Sequence, residues 1–462
     1  MKHSKNQIIK DRNTRDRGNS PATQLLLTRY STATQLLLNC YSPVTQLLLN
    51  RYSTVKQTDH IFFAILRSVM WGTPVEIPAD TDWRGVLNLA ARQKCLHAFS
   101  MWLKTHKIVT PFDKKLQPAI FAVMGRTARL NHLAADVITL LAKHEIPATL
   151  IKGYSLSALY PDPDTRDFGD VDIYVGEENY LRAAEIVTAA FPDAHWHSAT
   201  YGGIHYILVI DENLDRVVEL HRVTMEFHDK QADALYQAFT QKYLGRSSRV
   251  GRSSSRVGRS SSGVGRSSSR EGWSSVEWRG IELPIPSAAY NALYVFMHAW
   301  HHFESTGVGF RPLADWALCL HQAHEQLSAE EWSQLCQEID RILTALRMKK
   351  AWQTFGHVLV GELQLPAACF PLYTTRYQRR AERLLRQLVR DGHGARPAKL
   401  NIQEIALMRR FPWERPAKHR VMQVGYTACR LVFEAWQMSK LFPDLAWHEW
   451  VHSVRVAFTK KH

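Results

Sequence analysis

The sequence predicts an α+β protein in which a small sheet-bearing core is set between helical N- and C-terminal regions. Three observations carry this. Apolar residues recur at helical spacing from Thr58 to about Pro147, four short β-rich runs crowd between Ala148 and His221, and helical spacing resumes at Ser287 and runs nearly to the end. The 462 residues are 45% hydrophobic and 10% aromatic, enough to bury a sizeable core and to exclude a wholly disordered chain.

Residues 1–57 are expected to be a disordered or weakly ordered tail. Thr23-Gln24-Leu25-Leu26-Leu27 recurs at Thr34 and Thr45, a period of 11 residues that would stack the leucines on one face of a helix. Such a helix would suit a membrane surface or a partner. Against it, Pro43 interrupts the pattern and the Tyr-Ser-Thr stretches are poor helix formers. The segment has no apolar region of the secretory kind, and no run approaches the roughly 20 residues of a membrane span.

Residues 58–145 form the helical N-terminal region. Ile61, Phe62, Ile65, Leu66 and Val69 keep the helical period, as do Leu130, Leu133, Val137, Leu140 and Leu141. Residues 146–244 form the core, with strands expected at Ala148–Ile151, Val171–Val175, Tyr206–Ile210 and Val217–His221 and a helix over Glu178–Ala190. Residues 245–272 repeat Gly-Arg-Ser-Ser-Ser-Arg-Val every seven residues. A Gly/Ser/Arg composition has almost nothing to bury, so a solvated loop insertion is expected, with an arginine-rich RNA-binding arm as the alternative. Residues 273–462 are mainly helical after a short strand at Gly280–Pro286.

The net charge of +15 sits in two places. Residues 1–56 carry nine Lys/Arg and two acids; residues 245–270 carry seven Arg and no acid. The rest of the chain is left at +1. A basic pI therefore belongs to two unusual segments, and the balance argues against nucleic acid as a partner. None of the six cysteines forms a Cys-x-x-Cys pair, which disfavours a disulfide framework or a cysteine zinc site and points to a reducing, cytoplasmic location.

The chemistry-bearing stretch runs from Leu150 to Val175. Strand alternation puts Asp170 and Asp172 on one side, with Val171 and Ile173 toward the core. Two carboxylates at i and i+2 repel unless a hard divalent cation lies between them. Glu219, flanked by Val218 and Leu220, points away from the core of a later strand, and its neighbour His221 shares its face. If the two strands are adjacent, three carboxylates converge on one metal site, an arrangement that can hold two Mg²⁺ ions for nucleotidyl transfer. Lys152 and Arg166 are placed to supply charge for phosphates, and Gly153 permits close backbone approach. The competing reading of Asp170-Val171-Asp172 is a surface strand, and of Arg166 a salt bridge to Asp164, Asp167 or Asp170.

Taken together, Lys152-Gly153-x-x-Leu156, Tyr160-x-x-Pro163-x-x-Arg166 and Gly169-Asp170-Val171-Asp172-Ile173-x-Val175 resemble the uncharacterised bacterial nucleotidyltransferase family of the polymerase-β-like superfamily. The resemblance extends to Ile146-Pro147, Glu219-Leu220-His221, Pro286-Ser287, His298–His302 and Arg311–Trp316. It implies a small mixed sheet flanked by helices, with Asp170 and Asp172 as metal ligands. Tyr154 intervenes between Gly153 and Ser155, where the superfamily pattern has serine directly after glycine.

The expected site is therefore Asp170, Asp172 and Glu219 as catalytic metal ligands, with Lys152, Gly153, Ser155 and Arg166 at the nucleotide phosphates. Mg²⁺ is the expected cofactor, with Mn²⁺ as an alternative. The partners are an NTP, ATP among the candidates, and an unidentified acceptor. The alternative is a catalytically inactive nucleotidyltransferase-like binding or regulatory module. His298 and His302 stand at i and i+4, a zinc spacing without an evident third ligand, so histidines hydrogen-bonded to neighbours such as Asp315 are the simpler reading. Arg311 and Asp315 share the same spacing, and either pair with each other or line the cleft.

Overall fold

A computed structural model describes residues 43–197, 205–211, 216–227, 229–244, 266–268, 273–305, 307–393, 439, 441–443 and 445. The chain divides into two compact units, 1–58 and 59–462. The first described helix, α1, spans Pro43–Trp71 and includes the third copy of the 11-residue repeat. Pro43 does not interrupt this helix. It opens it, at a position where the missing N–H would have had no helical partner. The first two copies of the repeat lie outside the described residues.

Three more helices follow: α2 (Trp83–Arg92), α3 (Leu96–Thr105) and α4 (Asp113–Lys143). Asp82 caps α2 by accepting from the Gly85 amide at 3.0 Å. The sheet comprises β1 (Thr149–Leu150), β2 (Val171–Tyr174), β3 (His195–His197), β4 (His205–Asp211) and β5 (Arg216–His221), in the order β1-β2-β5-β4-β3. It is mixed because β2 and β5 run parallel while every other pair is antiparallel. Of these, β3 escaped the sequence reading: His195-Trp196-His197 is too short and polar to show a period. Short α5 (Tyr154–Ser157) follows β1, and α6 (Tyr180–Ala190) links β2 to β3.

The β2–β5 register pairs Val171 with Val218, Asp172 with Glu219, Ile173 with Leu220 and Tyr174 with His221. Val171, Ile173, Val218 and Leu220 are buried in one cluster with Leu133, Val137 and Leu141 of α4 and with Ala183 and Val187 of α6. That face of the sheet is an ordinary core, driven by apolar burial. Asp172, Glu219 and His221 are thereby forced onto the other face.

After α7 (Lys230–Tyr243), β6 (Arg266–Ser268), β7 (Trp273–Trp278) and β8 (Ile281–Pro286) make a second, antiparallel sheet. The Arg/Ser segment is therefore not loop throughout, since Arg266–Ser268 pairs with β7. The rest of its repeats lie outside the described residues. The C-terminal region holds α8 (Ala288–Ser305), α9 (Phe310–Gln326), α10 (Ala329–Ala345), α11 (Lys349–Glu362) and α12 (Gln378–Asp391). Its centre is aromatic, with the rings of Phe296, Trp316 and Trp352 between 4.7 and 4.9 Å apart. Both indole N–H groups find backbone carbonyls, Trp316 at Ala292 and Trp352 at Pro371. From Ile61 onward α1, and with it α2 and α3, share this one hydrophobic core with the C-terminal helices, while the buried side of α4 packs on the sheet. Among the described residues no helix is long and apolar enough to cross a membrane. Cys95, Cys319, Cys336 and Cys369 are free thiols; Cys40 and Cys429 lie outside the described residues.

One buried side chain stitches these helices together. Gln93, at the turn after α2, donates through Nε2 to the Leu388 and Val389 carbonyls of α12, and its own carbonyl accepts from the Arg311 amide of α9 at 3.3 Å. Gly309 passes so close that a Cβ would stand 2.6 Å from the Gln93 carbonyl oxygen. Backbone meets backbone there, so neither side can yield by changing rotamer. Gly309→Ala is expected to destabilise the fold by about 1–3 kcal/mol. A urea denaturation midpoint equal to that of the unsubstituted protein would contradict the close approach.

Candidate functional site

The Lys152–Ser157 segment turns sharply after β1. Gly153 has φ +64°, where a side chain is strained, and a Cβ there would lie 3.3 Å from the Phe168 ring. The Ser155 hydroxyl donates back to the Lys152 carbonyl at 3.1 Å, and the Ser157 hydroxyl to the Gly153 carbonyl at 3.3 Å. Ser155 is buried. Its hydroxyl, expected at the phosphates, fastens the turn from inside.

At the centre stands Asp172, whose side chain is wholly buried. Its Oδ1 lies 2.6 Å from the Lys152 ammonium and 3.0 Å from His221 Nε2. Burial acts to raise the Asp172 pKa, but the Lys152 charge and the His221 hydrogen bond outweigh it and hold the carboxyl well below the usual range. Lys152 shows the mirror image, since burial would lower its pKa and the Asp172 charge raises it instead. His221 Nε2 also lies 3.5 Å from Glu219 Oε2. Burial would discharge His221, yet hydrogen bonds to Asp172 and Glu219 raise its pKa above the ordinary histidine value. Ligand-type atoms of Asp172, Glu219 and His221 all lie within 4.8 Å of one another, a grouping able to hold a metal ion.

Asp172 Oδ2 is buried and has no hydrogen-bond partner. An ionised oxygen so placed is costly unless something binds it. Asp170 lies just ahead of β2, and in the described structure it is outside the 4.8 Å trio. The Asp172 charge, and then burial, push its pKa up to about 6. The two aspartates are thus electrostatically joined but unequally held, one pinned as an anion and the other poised to take a proton.

Arg166, expected at the phosphates or in a surface ion pair, is buried against an acid of α9. Its Nε and Nη2 donate to Asp315 Oδ1 and Oδ2 of α9 at 2.7 and 2.9 Å, and Nη1 donates to the Gly153 carbonyl at 3.1 Å. Tyr160 Oη donates to the same Asp315 Oδ1 at 2.8 Å. Every guanidinium nitrogen is spent on an internal acceptor. The expected Arg311–Asp315 pairing is replaced in the same way, since Arg311 Nη1 donates to Asp167 Oδ1 at 3.2 Å.

Two site-facing histidines acquire a place only in the structure. His298 Nε2 lies 3.2 Å from Lys152 Nζ, so it accepts from the ammonium that serves Asp172. Burial, then the Lys152 charge, keep His298 well below its ordinary pKa, as a neutral acceptor must be. Its ring stands 4.6 Å from that of His302, which lies 5.3 Å from His393. The i,i+4 spacing of His298 and His302 had flagged one helix face, but no local pattern could reveal Lys152, 146 residues away. His221 sat beside Glu219 in plain view, although its bond to Asp172 depends on the β2–β5 pairing.

A family model described as "Uncharacterised nucleotidyltransferase" matches residues 79–256, which include Lys152, Asp170, Asp172 and Glu219. This supports a nucleotidyltransferase family and a transferase activity in general. No curated protein and no solved structure matches the chain.

The two aspartates should respond oppositely to amidation. A folded pKa of about 6 for Asp170 lies above its unfolded value near 3.9, so the folded state holds an extra proton between them. Stability present below about pH 4 is therefore lost as pH rises through about 6. Asp170→Asn should remove that loss and raise stability at pH 7 by about 1–3 kcal/mol. Asp172→Asn strands the buried Lys152 charge and should cost about 3–5 kcal/mol. Urea titrations at acid and neutral pH test both signs, and equal effects of the two substitutions would refute the assignment.

Proposed function

We propose that the chain is a Mg²⁺-dependent nucleotidyltransferase that moves a nucleoside monophosphate from an NTP to an acceptor hydroxyl or phosphate by a two-metal mechanism. The observation that carries this reading is the unpartnered, buried Asp172 Oδ2 opposite Glu219 in the β2–β5 ladder. The donor set is hard oxygen with one imidazole, which suits Mg²⁺ or Mn²⁺ at the carboxylates. Asp170, Asp172 and Glu219 would hold the metal, and His221 would orient Asp172 through its Oδ1, leaving Oδ2 to coordinate. Bound there, the metal supplies Lewis-acid stabilisation of the triphosphate and a lowered pKa for the acceptor hydroxyl.

The other residues divide the remaining work. Lys152 neutralises Asp172 until substrate arrives, and its ammonium is the cation closest to hand for phosphate oxygens. Gly153 permits backbone approach. Arg166 and Ser155 shape the turn that presents both.

A second reading, an inactive nucleotide-binding module, draws on one observation: Lys152 already satisfies Asp172 Oδ1 at 2.6 Å with an internal cation. Turnover separates the two. Purified protein given each labelled NTP, Mg²⁺ and cell extract should yield a labelled product and pyrophosphate, and chelation of Mg²⁺ should stop it. Glu219→Gln should leave NTP binding intact while slowing transfer by about 10²-fold or more. Nucleotide binding without any labelled product would favour the inactive module, and an unchanged rate in Glu219→Gln would remove Glu219 from the site.

A further inference from the structure

The exposed face of α12 carries a row of arginines. Arg379, Arg383, Arg386 and Arg390 are all exposed, and the preceding short turn at Thr375–Tyr377 adds the exposed Arg376. Alternating steps of three and four residues keep them on one side of the helix, roughly 5 Å apart along its axis. The opposite side is held to the body by Ala381, Leu384 and Leu388, which are buried. Arg390 pairs with Asp391 at 2.7 Å. Among the described residues no carboxylate pairs with Arg379, Arg383 or Arg386, and Glu382 is the one acid among Arg376–Arg390.

This row leads to the carboxylate site. Beyond Arg390 the chain turns at Gly392, and the His393 amide donates to the Arg92 carbonyl at 2.8 Å. The His393 ring lies 5.3 Å from His302, His302 lies 4.6 Å from His298, and His298 holds Lys152. Gln93 clamps the last turn of α12 to α9, so the end of the row is fixed relative to the site.

We propose that the arginine row of α12 docks the phosphate backbone of a single-stranded nucleic acid, and that this strand is the acceptor of the transfer. The proposal rests on the nucleotidyl-transfer reading above. Among the described residues the guanidinium groups of Arg379, Arg383 and Arg386 have no carboxylate partner, and a file of such groups complements one strand and offers bidentate donors to its phosphates. A membrane surface fits poorly, because an interfacial helix needs apolar side chains beside its basic ones and here these face the body. The whole-chain charge balance hid the row, since acids elsewhere cancel its charge in the sum.

The test compares the full chain with its triple variant Arg379→Gln, Arg383→Gln, Arg386→Gln. All three positions are exposed, so thermal stability should be unchanged. Binding of a fluorescent mixed-sequence RNA oligonucleotide is followed by anisotropy across a salt series. Segments 1–56 and 245–270 are present in both proteins and contribute equally. The slope of log K against log salt should fall by about 2 in the variant, at about 0.7 per lost phosphate contact. In transfer assays KM for the strand should rise with kcat unchanged. An unchanged slope overturns the proposal, as does a loss seen instead for polyglutamate peptide or anionic vesicles. Mg²⁺–NTP binding without RNA reports separately on the carboxylate site. Its absence overturns the nucleotidyl-transfer reading itself, whereas normal NTP binding with RNA binding that ignores the row overturns only this one.

Discussion

A carboxylate with no solvent exposure, Asp172, sets the terms for everything around it. An ionised group cannot be buried without partners. Those partners come from separate parts of the chain: Lys152 from the turn after β1, His221 from β5, and His298 of α8 behind Lys152. Each of these side chains is buried or nearly so, and each depends on the others for its charge state. The β2–β5 register, the turn at Gly153 and the approach of His298 of α8 to that turn are tied to a single anion. Asp172 Oδ2 is buried without a hydrogen-bond partner, and the chemistry proposed for the site begins there.

A second buried pair supports the first from one layer away. Arg166 and Asp315 form a two-pronged ion pair, and Tyr160 adds a third hydrogen bond. The third guanidinium nitrogen reaches the Gly153 carbonyl, so the pair joins α9 directly to the turn that carries Lys152. The difference between the two cations follows from their shapes. Arginine, planar and always charged, is used where geometry must be rigid. Lysine, a compact charge on a flexible stem, stands against the Asp172 carboxylate at 2.6 Å.

The helical regions that flank the sheet in sequence are a single body in space. Ile61, Phe62 and Ile65 of α1 belong to the same core as Phe310 of α9 and Leu384 of α12. Phe62 stacks on Phe99 and meets Phe310 edge-on. This shared core, with Gln93 at the junction, is what brings the end of α12 and its row of arginines up to a site built mainly from residues 152–221.

The sequence by itself determined the local features. Periodicity placed the strands at Thr149–Leu150, Val171–Tyr174, His205–Asp211 and Arg216–His221 to within a residue or two, because alternation and helical period are properties of adjacent residues. The same alternation aligned Glu219 and His221 on one face, and the ordered motif from Lys152 to Val175 pointed to the chemistry. Short strands such as His195–His197 left no period to read. Pro43 was read as a breaker when its position made it a helix start. Only the tertiary structure decided which charges meet. Arg166 had three nearby aspartates in sequence, yet it pairs with Asp315, 149 residues away, because burial rewards the geometrically complete partner over the nearest one. Asp172 and Asp170 looked equivalent at i and i+2. The Lys152 charge and the His221 hydrogen bond hold one of them as an anion, while the Asp172 charge and then burial push the pKa of the other up to about 6, a distinction that depends on dielectric and on neighbours no local pattern contains.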